Sequence, residues 1–491
     1  MHPGSRGGRQ ILRHIARVAM IERGLEPEFP PAALRQVSTL AGAARAPQAV
    51  QVEDLRALPW VSIDNDDSRD LDQLSVAESL PDGLTRVRVA VADVDALVGL
   101  DSPVDRHARH NTTSVYTAAR IFPMLPERLS TDLTSLNPQQ ERLALVADMS
   151  VGADGRVAQS QLYLGMVRNQ AQLAYPSVAA WLEQAAAPPA ALSDPALQRQ
   201  VRLQDQVAQA LRAQRHVHGA LTLETLKTHA VFDGDTLHDL LPDRKNRAHE
   251  LIEDLMIAAN GAAAHFLDGH GFPSLRRVLR TPKRWERIVE LAAEVGERLP
   301  PLADAQALNA FLARRRRADP ERFPDLSLAV VKSLGRGEYL AEPAGGDHHP
   351  GHFGLAVSDY THSTAPNRRF PDLLSHRLVK AALAGHPPPY SADELESLAA
   401  HCTAQEDHAA KVERRVAKSA AALLLTDQVG EIFEGIITGA AAKGTWVRIV
   451  RPAIEGRMIH GFEGADIGHR VRVRLVRVDV ERGYIDFERA H

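Results

Sequence analysis

The chain has 491 residues, too many for one hydrophobic core, so its length predicts two to four domains. Charged residues at 24% and hydrophobic residues at 44% are ordinary for a globular protein, and a single cysteine, Cys402, excludes an internal disulfide and a multi-cysteine zinc module. The formal charge of −4 offers no global attraction to nucleic acid, so such a partner needs a local basic path, and no stretch reaches the roughly 20 apolar residues that span a bilayer.

Met1–Arg6 leads into a charged amphipathic segment, not a signal-peptide apolar region, so the expectation is a cytoplasmic protein with no membrane partner. Ile11, Leu12, Ile15, Val18 and Met20 recur at helical spacing over 10–22, and a second short helix is predicted over 31–40 after Pro30-Pro31. The Ala/Gly-rich stretch 41–46, closed by Pro47, reads as a linker. These helices form either a helix-turn-helix or a cap on the next domain. From 50 to 165 short strands alternate with turns, among them 61–63, 86–92 and 143–149; Arg86–Ala92 alternates with period two, as a half-buried strand does. Helices are predicted over 196–215, 246–267, 284–315, 369–385 and 391–425. Five short strands with Gly-rich turns then follow, near 434–439, 444–449, 454–460, 471–480 and 484–487, the pattern of a small OB-type barrel. Arg470, Arg472 and Arg474 share one face of the fourth, either a soluble face or a groove for a nucleic-acid backbone.

Three constellations carry chemistry. Residues 64–72 hold five aspartates (Asp64, Asp66, Asp67, Asp70 and Asp72), bracketed by Val61, Ile63, Leu71 and Leu74, which should pin them in a packed setting. Crowded carboxylates repel unless a cation holds them, and hard oxygen donors point to magnesium or manganese rather than zinc. An EF-hand fails, because its sixth position would be Arg69 and its twelfth Ser75. Next comes Asn111-Thr112-Thr113-Ser114-Val115-Tyr116, then Phe122-Pro123-Met124-Leu125-Pro126-Glu127-Arg128-Leu129-Ser130. Tyr116 is either a base-stacking ring or a core residue. Last is His352-Phe353-Gly354-Leu355-Ala356, then Tyr360–Asp372, where Arg368 and Arg369 sit between prolines. They read as a phosphate clamp, or as ion-pair partners of Asp359 and Asp372. His348, His349 and His352 lie in a Gly/Pro loop, where solvated histidines are expected rather than metal ligands.

Taken together in this order, the three segments resemble the ribonuclease II family of exoribonucleases, with an RNB catalytic domain over about 50–425 and an OB-fold behind it. The resemblance implies a multidomain α+β chain: an N-terminal helical domain over 1–45, the RNB body over 46–426 and a C-terminal OB barrel over 427–491. It also implies stepwise 3′→5′ hydrolysis of single-stranded RNA to nucleoside 5′-monophosphates, with magnesium, or alternatively manganese, as cofactor and a monomer as the working unit. Asp64, Asp70 and Asp72 match the family's metal-binding aspartates, Tyr116 a tyrosine that stacks on the last nucleotide, and Arg368 the arginine that grips the scissile phosphate. Glu413 matches a glutamate near the departing nucleotide. Arg369, Arg472 and Arg474 are the further candidates for RNA contact.

Two departures stand out. Gln73 occupies the position of a fourth aspartate, so it would offer a carbonyl without charge, with Asp66 and Asp67 as candidates to compensate. About 50 upstream residues cannot hold the tandem cold-shock barrels usual in the family. The alternative is a catalytically impaired RNA-binding protein that keeps the fold.

Overall fold

A computed structural model describes residues 7–46, 50–224, 227–243, 245–320, 322–346, 351–441, 444–465 and 468–490. Strands rich in Val, Leu and Ala, the central ones buried along most of their length, build a seven-stranded sheet. Its order is Val52–Asp54, Val157–Arg168, Glu141–Val151, Thr85–Ala92, Gln73–Ser79, Val61–Asp64 and Ala171–Ala174. The inner neighbours are antiparallel, and only the two edge strands run parallel to their partners. Glu141–Val151 and Val157–Arg168 are much longer than the short strands expected there.

Helices Pro195–Val217 and Arg247–Gly269 pack on this sheet, started by Asp194 and Asn246, whose side chains accept hydrogen bonds from first-turn amides. The predicted 284–315 helix is two helices, Trp285–Glu294 and Ala305–Ala318. Gly296, at φ 76°, lies in the left-handed region, and Pro300-Pro301 cannot continue a helix. Two antiparallel pairings, the hairpin Lys227–Asp233 with Thr236–Asp243 and the long-range pair Ser274–Val278 with Glu338–Glu342, were not evident in the sequence.

The 33-residue helix Ala392–Leu424, opened by a Ser391/Glu394 capping box, runs from the body to the C-terminal strands. There Ile432–Ala441, Gly444–Ile449, Glu455–His460, Tyr484–Arg489 and Arg470–Asp479 close a five-stranded barrel in that order. Only the third and last strands in sequence are paired parallel, so the expected OB-type barrel is present.

The N-terminal helices Gly8–Glu22 and Pro31–Ser38 do not share one core as a helix-turn-helix would. Leu12, Ile15, Ala16 and Met20 join Val412, Val416 and barrel residues in one cluster, whereas Ala33 and Val37 join the sheet's cluster. The cap alternative describes them. Pro47, His348 and His349 lie outside the described residues. His352 is half-buried rather than solvated, its Nδ1 accepting from the Leu355 amide at 3.2 Å, and burial draws its pKa down to about 4.

Candidate active site

Buried Val61 and Ile63 on one strand, with Leu71 and Leu74 beyond the turn, anchor the aspartate loop at both ends. Ser135 fastens its far side, its Oγ accepting from Leu71 N at 3.0 Å and donating to the Arg69 carbonyl at 2.8 Å. Within the loop, Asp64 Oδ1 accepts from Asn65 N at 2.8 Å and from Ser68 Oγ at 3.0 Å. Asp66 and Asp67 are exposed, Asp64 and Asp70 half-buried, and Asp72 is buried. Gln73 opens the next strand, opposite Val91, and is half-buried.

Asp72 joins distant parts of the chain. Its Oδ1 accepts from Asn367 N at 3.1 Å, and its Oδ2 lies 3.2 Å from Arg368 Nε. Burial pushes its carboxyl up to about 7, with Arg368 opposing and Asp70 reinforcing the rise. Asp70 is raised chiefly by burial, and Asp64 and Asp67 add to it while Arg368 pulls it down.

The Arg368 loop is zipped to the Thr112–Tyr116 segment. Arg368 O accepts from Ser114 N at 3.0 Å and from Thr113 Oγ1 at 3.2 Å, and Phe370 N donates to Thr112 O at 2.8 Å. Thr112 takes the left-handed conformation at φ 59°, turning the chain out of helix Pro103–Asn111. Tyr116 leaves 42% of its surface exposed, yet burial of its hydroxyl raises its pKa, with Arg368 opposing and Asp70 and Asp72 reinforcing the rise. Glu413, from the long helix, holds this segment from behind, its Oε1 accepting from Tyr116 N at 2.9 Å.

The geometry gathers Asp64, Asp70, Asp72, Tyr116, Arg368 and Glu413 in one region. Arg369 departs from the expected clamp. Its Nη2 turns inward to Asp372 Oδ1 at 2.7 Å, because Arg369 is the last residue before helix Phe370–Leu383 and Asp372 lies in that helix's first turn. Arg472 and Arg474 stay on the outer face of the barrel, 3.6 Å from Glu434 and 3.4 Å from Glu488.

Sequence reasoning missed two members. Asn367 lies inside a motif already singled out, but its contribution is a backbone amide. Tyr175 follows the strand Ala171–Ala174, whose parallel register sets Ala174 beside Asp64. Its hydroxyl is raised by burial and by Asp64, and its ring stacks on His249 at 3.9 Å. No local signal marks Tyr175, since only strand pairing brings it here.

All the candidate ligands are hard oxygens, and the buried Asp72 and half-buried Asp70 carboxyls repel each other, with Arg368 as the opposing cation. That donor set suits a divalent cation. Among the described residues no three His, Cys, Asp or Glu side chains close around a single point, so the carboxylates share a region without forming a finished cage.

The RNB domain model matches residues 52–385, and the RNase II-type exonuclease C-terminal S1 domain model matches 431–490. The chain belongs to the RNB family. Ribonuclease R of Vibrio parahaemolyticus is 31% identical over 510 residues, covering 94% of this chain and 59% of that protein. The RNB chain thus spans about three fifths of the length of such relatives. Mycoplasma genitalium RNase R in complex with ribose-methylated single-stranded RNA superposes with a TM-score of 0.86 at 23% identity, over 97% of this chain and 77% of its own. Yeast Ssd1, described as a pseudonuclease, superposes at 0.72 with 16% identity, over 95% of this chain and 58% of its own. Both likenesses establish the fold alone.

Proposed function

We propose that this RNB protein is a 3′→5′ exoribonuclease that hydrolyses single-stranded RNA to nucleoside 5′-monophosphates, working as a monomer in the cytoplasm. The observation that carries the reading is the meeting of Asp72 and Arg368 beside Asp70, Asp64 and Tyr116. A charge-neutral binding groove has no need of buried, mutually repelling carboxylates.

Asp64, Asp70 and Asp72, with the Gln73 carbonyl, would hold magnesium or manganese, which when bound supplies an activated water and counter-charge for the leaving 3′ oxygen. Arg368, half-exposed and poised on Asp72, would turn its guanidinium to the scissile phosphate and offset charge developing on its oxygens. Tyr116 would stack its open ring face on the terminal base, holding the phosphate in register with the carboxylates. The backbone amide of Asn367 keeps Asp72 oriented while Arg368 moves.

Gln73 favours a second reading, a catalytically impaired RNA-binding protein, since it removes one ligand charge. Incubating the protein with 5′-labelled poly(A) and magnesium or manganese separates the two. The enzyme yields a short limit fragment, whereas undegraded but bound RNA with both metals would establish the impaired form.

A further inference from the structure

Two short strands, Val115–Tyr116 and Ile121–Phe122, pair antiparallel, with Val115 opposite Phe122 and Tyr116 opposite Ile121. The first pair is buried against the N-terminal helix and the long helix. The second faces outward, with Tyr116 42% and Ile121 54% exposed. Directly opposed residues on one face of such a pair have Cβ atoms about 5 Å apart, so the isoleucine flanks the tyrosine ring.

The hairpin turn is tied to itself and to the N-terminal helix. Thr117 N donates to Arg120 O at 3.1 Å, and Arg120 N donates to Thr117 Oγ1 at 3.2 Å. Arg13 Nε reaches the Ala119 carbonyl at 3.3 Å, and the Arg120 guanidinium covers the Phe122 ring at 4.7 Å. An aliphatic side chain is thus displayed beside Tyr116 at the rim of a site whose other members are mostly charged. Its apolar surface continues the open face of Tyr116, so the surface suited to it is the flat face of an unpaired nucleobase.

We infer that Ile121 and Tyr116 form one stacking platform for RNA, on which Ile121 packs against the nucleobase next to the one held by Tyr116, and that Ile121 helps set the length of the shortest fragment released. This rests on the exoribonuclease reading.

The test compares the parent protein with Ile121→Ser, Ile121→Leu and, as control, Leu302→Ser, another exposed apolar residue at 81%. Limit fragments of 5′-labelled oligoadenylate are sized with magnesium or manganese, and affinity for a short oligoadenylate is measured by anisotropy in EDTA. Ile121→Ser should lengthen the limit fragment and weaken binding about threefold to tenfold, less than loss of an aromatic stack. Ile121→Leu and Leu302→Ser should match the parent. Its exposure means that Ile121→Ser keeps the parent's melting temperature to within about 2 °C. A parent that degrades RNA beside an Ile121→Ser variant with unchanged fragment and affinity would overturn the inference and leave the enzyme reading intact. A parent that gives no ladder would defeat the enzyme reading and the fragment-length role with it. Equal affinities in EDTA would then remove the platform as well.

Discussion

On the exoribonuclease reading, Asp72 supplies a carboxylate that the chemistry needs and that RNA binding does not. Replacing it with Asn removes a carboxylate while keeping shape, so hydrolysis should fall below detection while RNA affinity stays within about threefold; equal loss of both would refute its role. Its carboxyl, ordinarily near 3.8, is raised to about 7, so the folded protein holds a proton that the unfolded chain releases. Stability from this group is therefore full below pH 4 and lost as pH rises through 7, by up to roughly 4 kcal/mol. Buried and half-buried histidines whose pKa is lowered, His352, His362 and His376 among them, act in the opposite sense in parent and variant alike, so the test is the difference between the two. In EDTA, raising the pH from 5.5 to 8 should lower the parent's melting temperature relative to that of Asp72→Asn, and manganese or magnesium should stabilise the parent at pH 8. Glu413→Ala frees the Tyr116 amide and should lengthen the limit fragment in the same direction as Tyr116→Ala, with a smaller change in gel mobility. The aspartates were legible because five of them crowd nine positions, a pattern with few structural uses. The family resemblance singled out Arg368, but the residues alone could not separate it from Arg369, because which of two adjacent arginines faces outward depends on where helix Phe370–Leu383 begins.

At the scale of elements, the N-terminal helix Gly8–Glu22 packs as a brace behind the site. Leu12 and Ile15 fill a cluster that also contains Val115, Phe122 and Val412, so the helix supports the hairpin that carries Tyr116. The following turn is tied as firmly: Glu26 N donates to Asn111 Oδ1 at 2.9 Å, and Asn111 Nδ2 donates to Glu26 O at 2.8 Å. Leu12→Ala should cost about 3 kcal/mol in denaturant unfolding, within the usual range for a buried leucine. It should also lengthen the limit fragment as the hairpin loosens, whereas exposed Ile11→Ala should do neither. A destabilised variant with an unchanged fragment would confine the brace to stability. The helices themselves were legible from apolar spacing. Their role was not, because a cap and a helix-turn-helix present the same spacing, and only the partner across the interface tells them apart.

For the whole molecule, a formal charge of −4 leaves RNA binding dependent on local cations. The barrel's strands could be read from alternation and Gly-rich turns, and its three arginines at alternate positions suggested a basic groove. Strand order adds what linear sequence hides: Arg474 pairs with Glu488 on the last strand, and Arg472 lies beside Glu434 on the first. These pairs are exposed, so each is worth little and exchanges readily, but each carboxylate already serves as a fixed counterion. An arginine that trades a carboxylate for a phosphate releases fewer bound ions than a free one. For single strands each neutralised phosphate contributes about 0.7 to the slope of log affinity against log salt. The Arg472→Ala/Arg474→Ala variant should therefore reduce that slope by less than about 0.7 in total. A reduction near 1.4 would mean that both arginines leave their carboxylates entirely and hold RNA backbone as free cations.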